Sequence, residues 1–497
     1  MASTDISIII LAAGKGTRMR SDLAKVLHRA GGRPLIESVI RACQPLRPAQ
    51  ILAVIGHQAE AVAGAVETLD VPVSVETVVQ HPQRGTGHAI QVARRAIRKS
   101  AKLAVVLPGD APLLRSQTLA RLVDTHRRCE AAVTILSAEV ANPAGYGRIV
   151  RDAEGRVQAI VEDKALSPAQ REIREINSSI YCFTLEKLWP CLAALRPENA
   201  HRELYLTDVI GMLRERNERV LAYVAADPDE VAGCNTRGHL ADADRVLRAR
   251  KTVEIMDAGA TVYLPESVVI DPDVTCGADT VIEPGVRLLG NTRIGARCQI
   301  GAGSVLIDMR VDDDATVFPQ THLVSSRIGA KAMVGPFARL RPGCDVRTGA
   351  HVGTFVEMKN TTLDERAKAP HLSYLGDATI GAETNVGAGT ITCNYDGFAK
   401  HETKIGKRVF VGSDSALVAP VRIGDGAYIA AGSVITENVP ADALAIARGR
   451  QATKPGWARQ RRLAMKKEAG SKKPARARRA AGKSRTKSAA RKKPRRR

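Results

Sequence analysis

The sequence lacks the features that mark membrane and secreted proteins. No run of about twenty apolar residues occurs in the 497 residues, which argues against a membrane-spanning helix. The start, Met1–Asp5, lacks the basic and apolar regions of a secretory signal. The nine cysteines include no CxxC pair and are odd in number, which favours free thiols over a disulfide framework or zinc site. We therefore expect a cytoplasmic protein without a membrane span.

Apolar side chains larger than alanine are missing from residues 466–497. This segment has 16 Lys and Arg and one acidic residue, Glu468, so it carries +15 of the formal net charge of +22. It cannot bury a core, and we expect residues 458–497 to form a basic disordered tail. Clustered cations release counterions from phosphate backbones, which makes nucleic acid a candidate partner. Because no aromatic or folded reader motif accompanies the charge, we favour weak, non-specific polyanion binding.

A six-residue repeat dominates the second half of the sequence. Branched apolar residues return at every sixth position, and glycine often follows them, as in Ile294-Gly295. No α-helix has this period, an alternating strand repeats every two residues, and β-sandwich strands are irregularly spaced. Short stacked strands joined by tight turns would produce it, which predicts a parallel β-helix. The residues in phase are Ile270, Ile282, Leu288, Ile294, Ile300 and Leu306, then Ile328, Val334, Leu340, Val346 and Val352, then Val411, Leu417, Ile423, Ile429 and Ile435.

The first half alternates strand and helix patterns. Apolar strand patterns at 7–11, 51–55 and 103–107 alternate with helix patterns at 35–42 and 88–97. This order predicts an α/β domain with a Rossmann-like, mostly parallel sheet. The predicted organisation is an α/β domain at 1–236, a linker helix at 237–258, the β-helix domain at 259–457 and the tail at 458–497. Segments 359–375 and 393–404 do not fit the repeat, and we expect them to leave the β-helix as loops.

A glycine-rich turn follows the first predicted strand, in Leu11–Met19 (LAAGKGTRM). Small residues let backbone N–H groups approach a phosphate or a base edge, and Lys15, Arg18 and Lys25 add positive charge. The turn matches neither the dinucleotide fingerprint nor the P-loop, so a purely structural turn is an equally good interpretation. Asp110 follows a later strand, where α/β sheets bind ligands, and could hold Mg²⁺ against phosphates or cap the next turn.

A histidine among cationic and polar residues marks the second candidate site. His371 lies between Arg341 and Lys359 on one side and Tyr374 and Asn385 on the other. Cationic side chains suit a sugar phosphate, and a neutral imidazole suits a general base. A lone histidine in a loop is more often a plain surface residue.

Several motifs occur in a fixed order, and together they are specific enough to indicate a protein family. LAAGKGTRM, QxxxxGTGHA from Gln80, GDAPL from Gly109, GYGRI at 145–149 and Gly233-Cys234-Asn235 follow one another in order, with the six-residue repeats behind them. Over about residues 5–457 the chain resembles the bacterial bifunctional N-acetylglucosamine-1-phosphate uridylyltransferases/glucosamine-1-phosphate N-acetyltransferases. The resemblance implies acetyl transfer from acetyl-CoA to glucosamine-1-phosphate, then uridylyl transfer from UTP to the product with release of pyrophosphate.

The resemblance also implies roles for residues of the first domain. Arg18 and Lys25 would be catalytic by neutralising the triphosphate, and Asp110 and Asn235 would coordinate Mg²⁺. UDP-N-acetylglucosamine would be bound by Leu11, Ala12, Ala13, Gly14, Lys25, Gln80, Gly85, Thr86, Gly147, Glu162, Asn177 and Asn235.

In the second domain the resemblance makes His371 the base for attack of the sugar amine on the thioester. Glucosamine-1-phosphate would be bound by Arg341, Lys359, Tyr374 and Asn385, and acetyl-CoA by Ala388, Asn394, Tyr395, Ser413, Ala431 and Arg448. The resemblance further implies a left-handed coil, contrary to the usual right-handed crossover, and a homotrimer. Segment 393–404 would then reach a neighbouring subunit.

Two other functions remain open from the sequence alone. A single-activity sugar-1-phosphate nucleotidyltransferase could carry the β-helix as a scaffold, although the grouping around His371 speaks against it. A catalytically inactive protein that binds nucleic acid through its tail is disfavoured because Arg18, Lys25, Asp110 and Asn235 occur together.

Overall fold

The computed structural model describes residues 5–69, 71, 73–197 and 202–471. The chain divides into two compact units, residues 1–446 and residues 447–497. The first unit contains an α/β region, the long helix that follows it, and a solenoid of short strands. None of the helices in the described part of the chain combines the length and the apolar character that a membrane span requires.

A nine-stranded sheet forms the centre of the α/β region, with a small hairpin, β2–β3, beside it. The strands are β1 (Ile6–Ala12), β2 (Arg29–Ala30), β3 (Arg33–Pro34), β4 (Gln50–Ile55), β5 (Val75–Val79), β6 (Leu103–Pro108), β7 (Val133–Glu139), β8 (Arg148–Arg151), β9 (Val157–Val161), β10 (Glu175–Thr184) and β11 (Val220–Val224). The helices are α1 (Leu35–Cys43), α2 (Ala59–Glu67), α3 (Thr86–Ala93), α4 (Ser116–Arg128), α5 (Pro168–Arg171), α6 (Leu185–Ala194), α7 (Asp208–Glu215) and α8 (Arg237–Asp257).

The sheet is mixed but mostly parallel along its main path, with the order β11-β7-β10-β6-β1-β4-β5. Strand β1 is parallel to both β4 and β6, whereas β10 is antiparallel to both of its neighbours. Ile8 and Ile10 pack into the core on one face of the sheet and Ile9 into the core on the other. This double burial explains why β1 is a continuous apolar run, and it confirms the predicted α/β class.

The solenoid consists of three parallel sheets, here called faces 1, 2 and 3 in the order in which each coil visits them. Face 1 contains Thr261–Val262, Val281–Ile282, Gln299–Ile300, Thr316–Val317, Met333–Val334, His351–Thr354, Lys368–His371, Asn385–Val386, Phe410–Val411, Tyr428–Ile429 and Leu444–Ala445. Face 2 contains Val269–Ile270, Arg287–Leu289, Val305–Ile307, His322–Val324, Arg339–Leu340, Glu357–Lys359, Tyr374–Gly376, Ile391–Cys393, Ala416–Val418 and Val434–Ile435. Face 3 contains Thr275–Cys276, Arg293–Ile294, Arg310–Val311, Arg327–Ile328, Asp345–Val346, Thr362–Leu363, Ala378–Ile380, Thr403–Ile405 and Val421–Ile423.

The residues predicted from the repeat form the core of this solenoid. Ile282 pairs with Ile300 on the next coil, and Ile300 with Val317 on the one after. All sixteen in-phase residues are at most 4% exposed, because each coil stacks its apolar positions on those of its neighbours. The predicted parallel β-helix is confirmed.

The expectation that segment 359–375 leaves the β-helix is wrong. Its residues continue the coil, with Lys368–His371 on face 1 and Tyr374–Gly376 on face 2. The pattern is hidden because the inward residue after Met358 is Leu363, five positions later instead of six. His371 therefore ends a strand and does not lie on an inserted loop. Segment 393–404, by contrast, does connect faces 2 and 3 as a long excursion between Ile391–Cys393 and Thr403–Ile405.

Helix α8 connects the two halves of the first unit. It begins after Thr236, whose hydroxyl accepts a hydrogen bond from the His239 N–H at 3.2 Å, and it contacts the first coils of the β-helix. The second unit contains α9 (Trp457–Ser471). The predicted disordered tail began at 458, but its Ala, Leu, Gln, Arg and Lys residues up to Ser471 are good helix formers and are helical. Residues 472–497 lie outside the described residues.

Candidate active sites

A cavity opens at the carboxyl ends of β1, β4 and β6, the edge where parallel sheets bind ligands. Its volume is about 950 Å³. This sheet-edge cavity is lined by nine of the residues predicted for the first site, namely Leu11, Ala12, Ala13, Gly14, Lys25, Gln80, Gly85, Thr86 and Asp110.

Two glycines fix the shape of the cavity wall. Gly16 has a φ of 59°, and a Cβ atom on it would lie 2.7 Å from the Lys25 Cβ. Gly85 has a φ of 102°, and a Cβ atom there would lie 2.6 Å from the Leu204 carbonyl oxygen. Other residues would be strained at both positions and would push the wall apart.

A cluster of four predicted residues, Arg18, Lys25, Asp110 and Asn235, lies at one side of this edge. The Lys25 ammonium is 2.6 Å from Asp110 Oδ2 and donates to Asn235 Oδ1 at 3.3 Å. Arg18 Nη2 donates to the same Asn235 oxygen at 2.9 Å. Asp110 is only 7% exposed, which holds its carboxylate in place. The cluster thus brings the side-chain oxygens of Asp110 and Asn235 together with the cationic groups of Arg18 and Lys25, although the turn after β1, Asp110 and Asn235 are far apart in the sequence.

The two oxygens of this cluster fit a magnesium ion. Asp110 Oδ2 and Asn235 Oδ1 both accept from the one ammonium of Lys25, so they converge on a common point that already attracts a cation. Carboxylate and carboxamide oxygens are suitable Mg²⁺ ligands, and such sites commonly rely on substrate phosphates for the remaining ligands.

Gly147, Glu162 and Asn177 form a second group, outside the lining of the sheet-edge cavity. Asn177 donates its backbone N–H to the Gly147 carbonyl at 2.9 Å and its side-chain amide to the Tyr181 hydroxyl at 2.9 Å. Glu162 accepts from the Thr207 hydroxyl at 3.3 Å. Burial raises the pKa of Glu162 above its usual range. Ser179, two residues after Asn177, does line the cavity, so this group adjoins it.

Sequence reasoning missed several residues of the cavity wall, among them Gln83, Ser179, Glu203 and Tyr205. Gln83 Nε2 donates to the Ala13 carbonyl at 2.7 Å and so supports the glycine-rich turn. Residues 203–205 reach the wall because Leu204 exchanges backbone hydrogen bonds with Arg84 and Gly87. Only the position of Gln83 within the quoted QxxxxGTGHA motif could have signalled its role.

In the β-helix, His371 belongs to a column of residues at the corner between faces 1 and 2. This corner column consists of His371, Ala388, Ser413 and Ala431 on successive coils. Each precedes the left-handed residue of its turn, namely Leu372, Gly389, Asp414 or Gly432. Backbone hydrogen bonds of 2.7–2.8 Å join the turns, as from Asp414 N–H to the Ala388 carbonyl. Three predicted acetyl-CoA residues therefore continue in line from the exposed His371.

A second group lies at the opposite edge of face 2. Lys359 Nζ is 3.6 Å from Asp377 Oδ1, and the Asn394 amide donates to Asp377 Oδ2 at 2.5 Å. Burial alone would raise the pKa of Asp377. The hydrogen bonds from Asn360 and Asn394, together with the positive charge of Lys359, outweigh burial, and the pKa lies below its usual range. Lys400, from the 393–404 excursion, lies beside Lys359, and this repulsion lowers the Lys400 pKa. The edge concentrates positive charge.

The remaining predicted residues lie on faces 1 and 2, on the 393–404 excursion and in the second unit. Arg341 Nη1 is 3.4 Å from Glu357 Oε1, and Glu357 pairs with Tyr374 on the next coil of face 2. Asn385 pairs with Lys368 on face 1. Tyr395 is 60% exposed on the 393–404 excursion, and Arg448 belongs to the second unit. Within one chain, His371 and Lys359 thus lie at opposite edges of face 2, and the residues predicted for acetyl transfer do not form one compact group in the first unit.

Comparisons with known proteins agree with both halves of the first unit. The family described as MobA-like NTP transferase domain matches residues 8–176. Bacterial transferase hexapeptide (six repeats) matches residues 273–308 and 402–437, which is consistent with a left-handed coil.

Full-length relatives cover nearly the whole chain. The Bifunctional protein GlmU of Koribacter versatilis (strain Ellin345) is 48% identical over 466 residues, which is 93% of this chain and 98% of the relative. The proteins of that name from Anaeromyxobacter sp. (strain Fw109-5) and Streptococcus agalactiae serotype V are 48% and 44% identical, over 92% and 91% of this chain and 93% and 97% of their own. The chain therefore belongs to the family of bifunctional GlmU proteins, in which a sugar nucleotidyltransferase domain is joined to a hexapeptide-repeat acyltransferase domain.

Proposed function

We propose that the sheet-edge cavity catalyses uridylyl transfer and that the corner column of the β-helix leads to the acetyl-transfer site. The chain is a bifunctional enzyme that acetylates glucosamine-1-phosphate from acetyl-CoA and joins the product to UMP from UTP, which makes UDP-N-acetylglucosamine. The observation that carries the first assignment is the cluster of Lys25, Asp110, Asn235 and Arg18 at the edge of the sheet.

For uridylyl transfer, the main tasks are positioning and charge neutralisation. The backbone of residues 11–14, with Gln80, Gly85 and Thr86, binds the uridine, and Gly147, Glu162 and Asn177 bind the acetylated sugar. A phosphate oxygen of N-acetylglucosamine-1-phosphate attacks the α-phosphorus of UTP, the bond to the bridging oxygen breaks, and pyrophosphate leaves. Arg18 and Lys25 offset the charge on the triphosphate in this step.

The proposed metal of this site is Mg²⁺, held by Asp110 and Asn235. When bound, it supplies Lewis-acid neutralisation of the phosphate oxygens. Lys25, whose ammonium contacts the same two oxygens, would neutralise the phosphates beside them.

For acetyl transfer, His371 is the proposed general base. It accepts a proton from the 2-amino group of glucosamine-1-phosphate as the nitrogen attacks the thioester carbonyl. The C–S bond then breaks, and the CoA thiolate takes the proton back from the imidazolium and leaves as the thiol. Arg341, Lys359, Tyr374 and Asn385 bind the sugar phosphate. The position of Ala388, Ser413 and Ala431 in line with His371 supports their role along the acetyl-CoA path, with Asn394, Tyr395 and Arg448 as further contacts. A thioester is already activated, so no cysteine nucleophile is required.

The β-helix indicates oligomerisation, and we propose a homotrimer. Exposed apolar residues form a stripe on the last three coils of face 1, with Phe410, Tyr428 and Leu444 each 43–64% exposed. Such a stripe needs a partner surface. A neighbouring copy would also bring the 393–404 excursion of one chain to the His371 edge of another, which would complete a site that one chain divides between two edges.

The proposed site of action is the cytoplasm, where free thiols persist; all nine cysteines are unpaired in the structure. The basic tail is proposed to bind polyanions weakly and to have no part in either reaction.

One substitution in each site tests these assignments. Lys25→Ala is expected to abolish pyrophosphate release and to leave CoA release unchanged, whereas Tyr374→Phe is expected to raise the KM for glucosamine-1-phosphate alone. If Lys25→Ala retained full uridylyl transfer, the proposed charge neutralisation would be refuted.

A further inference from the structure

A second cavity lies outside both proposed sites, where α1, α4, α8 and the first coil of the β-helix meet. Its volume is about 410 Å³, and its wall includes Ile270 and Pro272 of the β-helix. The cationic residues in the wall are Arg33, Arg41, Arg115, Arg250 and Lys251, and among the described lining residues the one acidic side chain is Glu254.

The carboxylates that balance these cations mostly lie behind the wall. Arg41 Nε is 2.8 Å from Glu37, and Arg115 Nη2 is 3.1 Å from Asp227. Neither carboxylate lines the cavity. The ion pairs therefore fix the guanidinium groups in place while the cavity itself presents positive charge.

Two guanidinium nitrogens have unused hydrogen-bonding capacity. Arg33 Nε and Arg250 Nη2 are buried and have no hydrogen-bond acceptor among the described residues, although Glu37 and Asp227 lie 3.4 and 3.5 Å away. Burial, followed by repulsion from Arg115, lowers the pKa of Arg250. An anion in the cavity would offset this repulsion between the Arg115 and Arg250 guanidinium groups.

We propose that this cationic cavity binds a phosphorylated small molecule. Guanidinium groups match the geometry of phosphate oxygens, and a volume of about 410 Å³ is within the usual range for small-molecule sites. The first residues of α4, Ser116 and Gln117, also line the wall, and N–H groups at a helix N-terminus favour anions. The ligand is a metabolite with one or two phosphate groups and not a nucleic acid, because the cavity is too small for a polymer.

The cavity is connected to the uridylyltransferase cluster by the chain itself. Arg250 Nη1 donates to the Leu113 carbonyl at 2.8 Å, and Leu113 is three residues after Asp110. Helix α8, which carries Arg250 and Lys251, begins two residues after Asn235. A bound phosphate that displaced the Arg250 guanidinium would therefore shift the backbone at Leu113 and at the start of α8. Both shifts would change the positions of the proposed metal ligands, Asp110 and Asn235. This regulatory consequence rests on the proposed roles of Asp110 and Asn235, whereas the binding does not.

The test is a calorimetric titration of the full chain with inorganic pyrophosphate in EDTA, which prevents turnover, at a salt concentration that suppresses polyanion binding by the basic tail. UDP-N-acetylglucosamine at saturation blocks the sheet-edge cavity. We expect one pyrophosphate per chain to bind under these conditions, and the affinity to fall by about tenfold or more in Arg115→Gln/Arg250→Gln. Arg245→Gln is the matched control, since Arg245 is exposed on the same helix and does not line this cavity.

Binding that disappears when UDP-N-acetylglucosamine is added would overturn the proposal, as would equal affinity in the double variant and the parent. If the double variant fails to fold, Arg41→Gln gives the same test, because Arg41 lines the cavity from α1. Hydrogen exchange in the same samples tests the regulatory consequence. Protection of amides at 109–111 and 233–235, which do not line the cavity, supports it, and unchanged exchange there would refute the coupling while leaving the site intact.

Discussion

The Lys25 ammonium lies 2.6 Å from Asp110 Oδ2, and the two residues come from a turn after β1 and the end of β6. Asn235, from just before α8, accepts from the same ammonium. Lys25 thus contacts the same oxygens that we assign to Mg²⁺, which makes its position part of the proposed site.

Gly16→Ala tests how Lys25 is positioned. A Cβ atom at this position would lie 2.7 Å from the Lys25 Cβ in a backbone conformation with φ of 59°, so Lys25 must shift. We expect kcat for uridylyl transfer to fall by about 10²-fold, with acetyl transfer unchanged. Steady-state assays of both products provide the measurement.

Gly64→Ala is the matched control, because nothing lies within 4 Å of a Cβ atom at Gly64 on α2. It should leave both rates unchanged and raise the melting temperature slightly. Full uridylyl transfer in Gly16→Ala would mean that the position of Lys25 does not matter.

Glu162→Gln tests the cost of a partly desolvated carboxylate in the proposed sugar site. Burial raises the pKa of Glu162, so the native state favours its protonated form. The stability that this preference contributes is complete below the ordinary glutamate pKa of about 4.3 and is lost as pH rises through the higher native-state pKa. Gln cannot ionise, so the variant should unfold at a higher temperature than the parent near neutral pH, with the difference vanishing toward acidic pH.

Thermal unfolding of parent and Glu162→Gln across this range provides the measurement. The same variant should raise the KM for N-acetylglucosamine-1-phosphate, because a carboxylate acceptor is lost. A stability difference that grew as pH fell would contradict the assigned direction of the pKa shift.

Phe410→Glu tests the exposed stripe of face 1. Phe410 stacks on Tyr428 with ring centroids 5.4 Å apart, and both are about half exposed. A charge buried between subunits is costly, so we expect the variant to dissociate in analytical ultracentrifugation. Acetyl transfer should be lost with the trimer, and uridylyl transfer should remain.

Thr275→Glu adds the same charge to an exposed position of face 3, far from both proposed sites along the β-helix, and serves as the control. It should keep the oligomer and both activities. A monomeric Phe410→Glu that still released CoA at the parental rate would show that one chain contains a complete acetyl-transfer site.

Removal of residues 472–497 tests the role assigned to the basic tail. Both reactions should proceed at parental rates, since neither proposed site uses these residues. Retention on a polyanion column should fall, and what remains should depend less steeply on salt. Loss of either activity would contradict a passive tail.

Periodicity predicted the core of the β-helix because burial acts on each coil in the same way. The in-phase residues from Ile270 to Ile435 all point inward, as the spacing required. The pattern failed between Met358 and Leu363, where a turn shorter by one residue shifts the phase while the coil continues. In the sequence, a turn that is one residue shorter breaks the repeat in the same way as an inserted loop does. Only the pairing of the strands distinguishes the two cases.

The candidate sites were predictable where a motif stays contiguous. The turn at 11–14 and the segment from Gln80 to Thr86 could be placed together because both follow parallel strands. Glu203 and Tyr205 could not, since they reach the same cavity through backbone pairing with residues 84–87 from far along the chain. The separation of His371 and Lys359 on opposite edges of face 2 is likewise a property of coil geometry that spacing does not reveal.

One incubation tests the central assignment most directly. Purified protein is mixed with glucosamine-1-phosphate, acetyl-CoA, UTP and Mg²⁺, and free CoA thiol and pyrophosphate are followed as separate signals. We predict that CoA release precedes pyrophosphate release, that His371→Ala loses CoA release, and that Asp110→Ala loses only pyrophosphate release, by about 10²–10³-fold or more. Because His371→Ala still has its first site, pyrophosphate should return when N-acetylglucosamine-1-phosphate is supplied. Pyrophosphate from that substrate without any CoA release by the parent protein would contradict the account and reduce the β-helix to a scaffold.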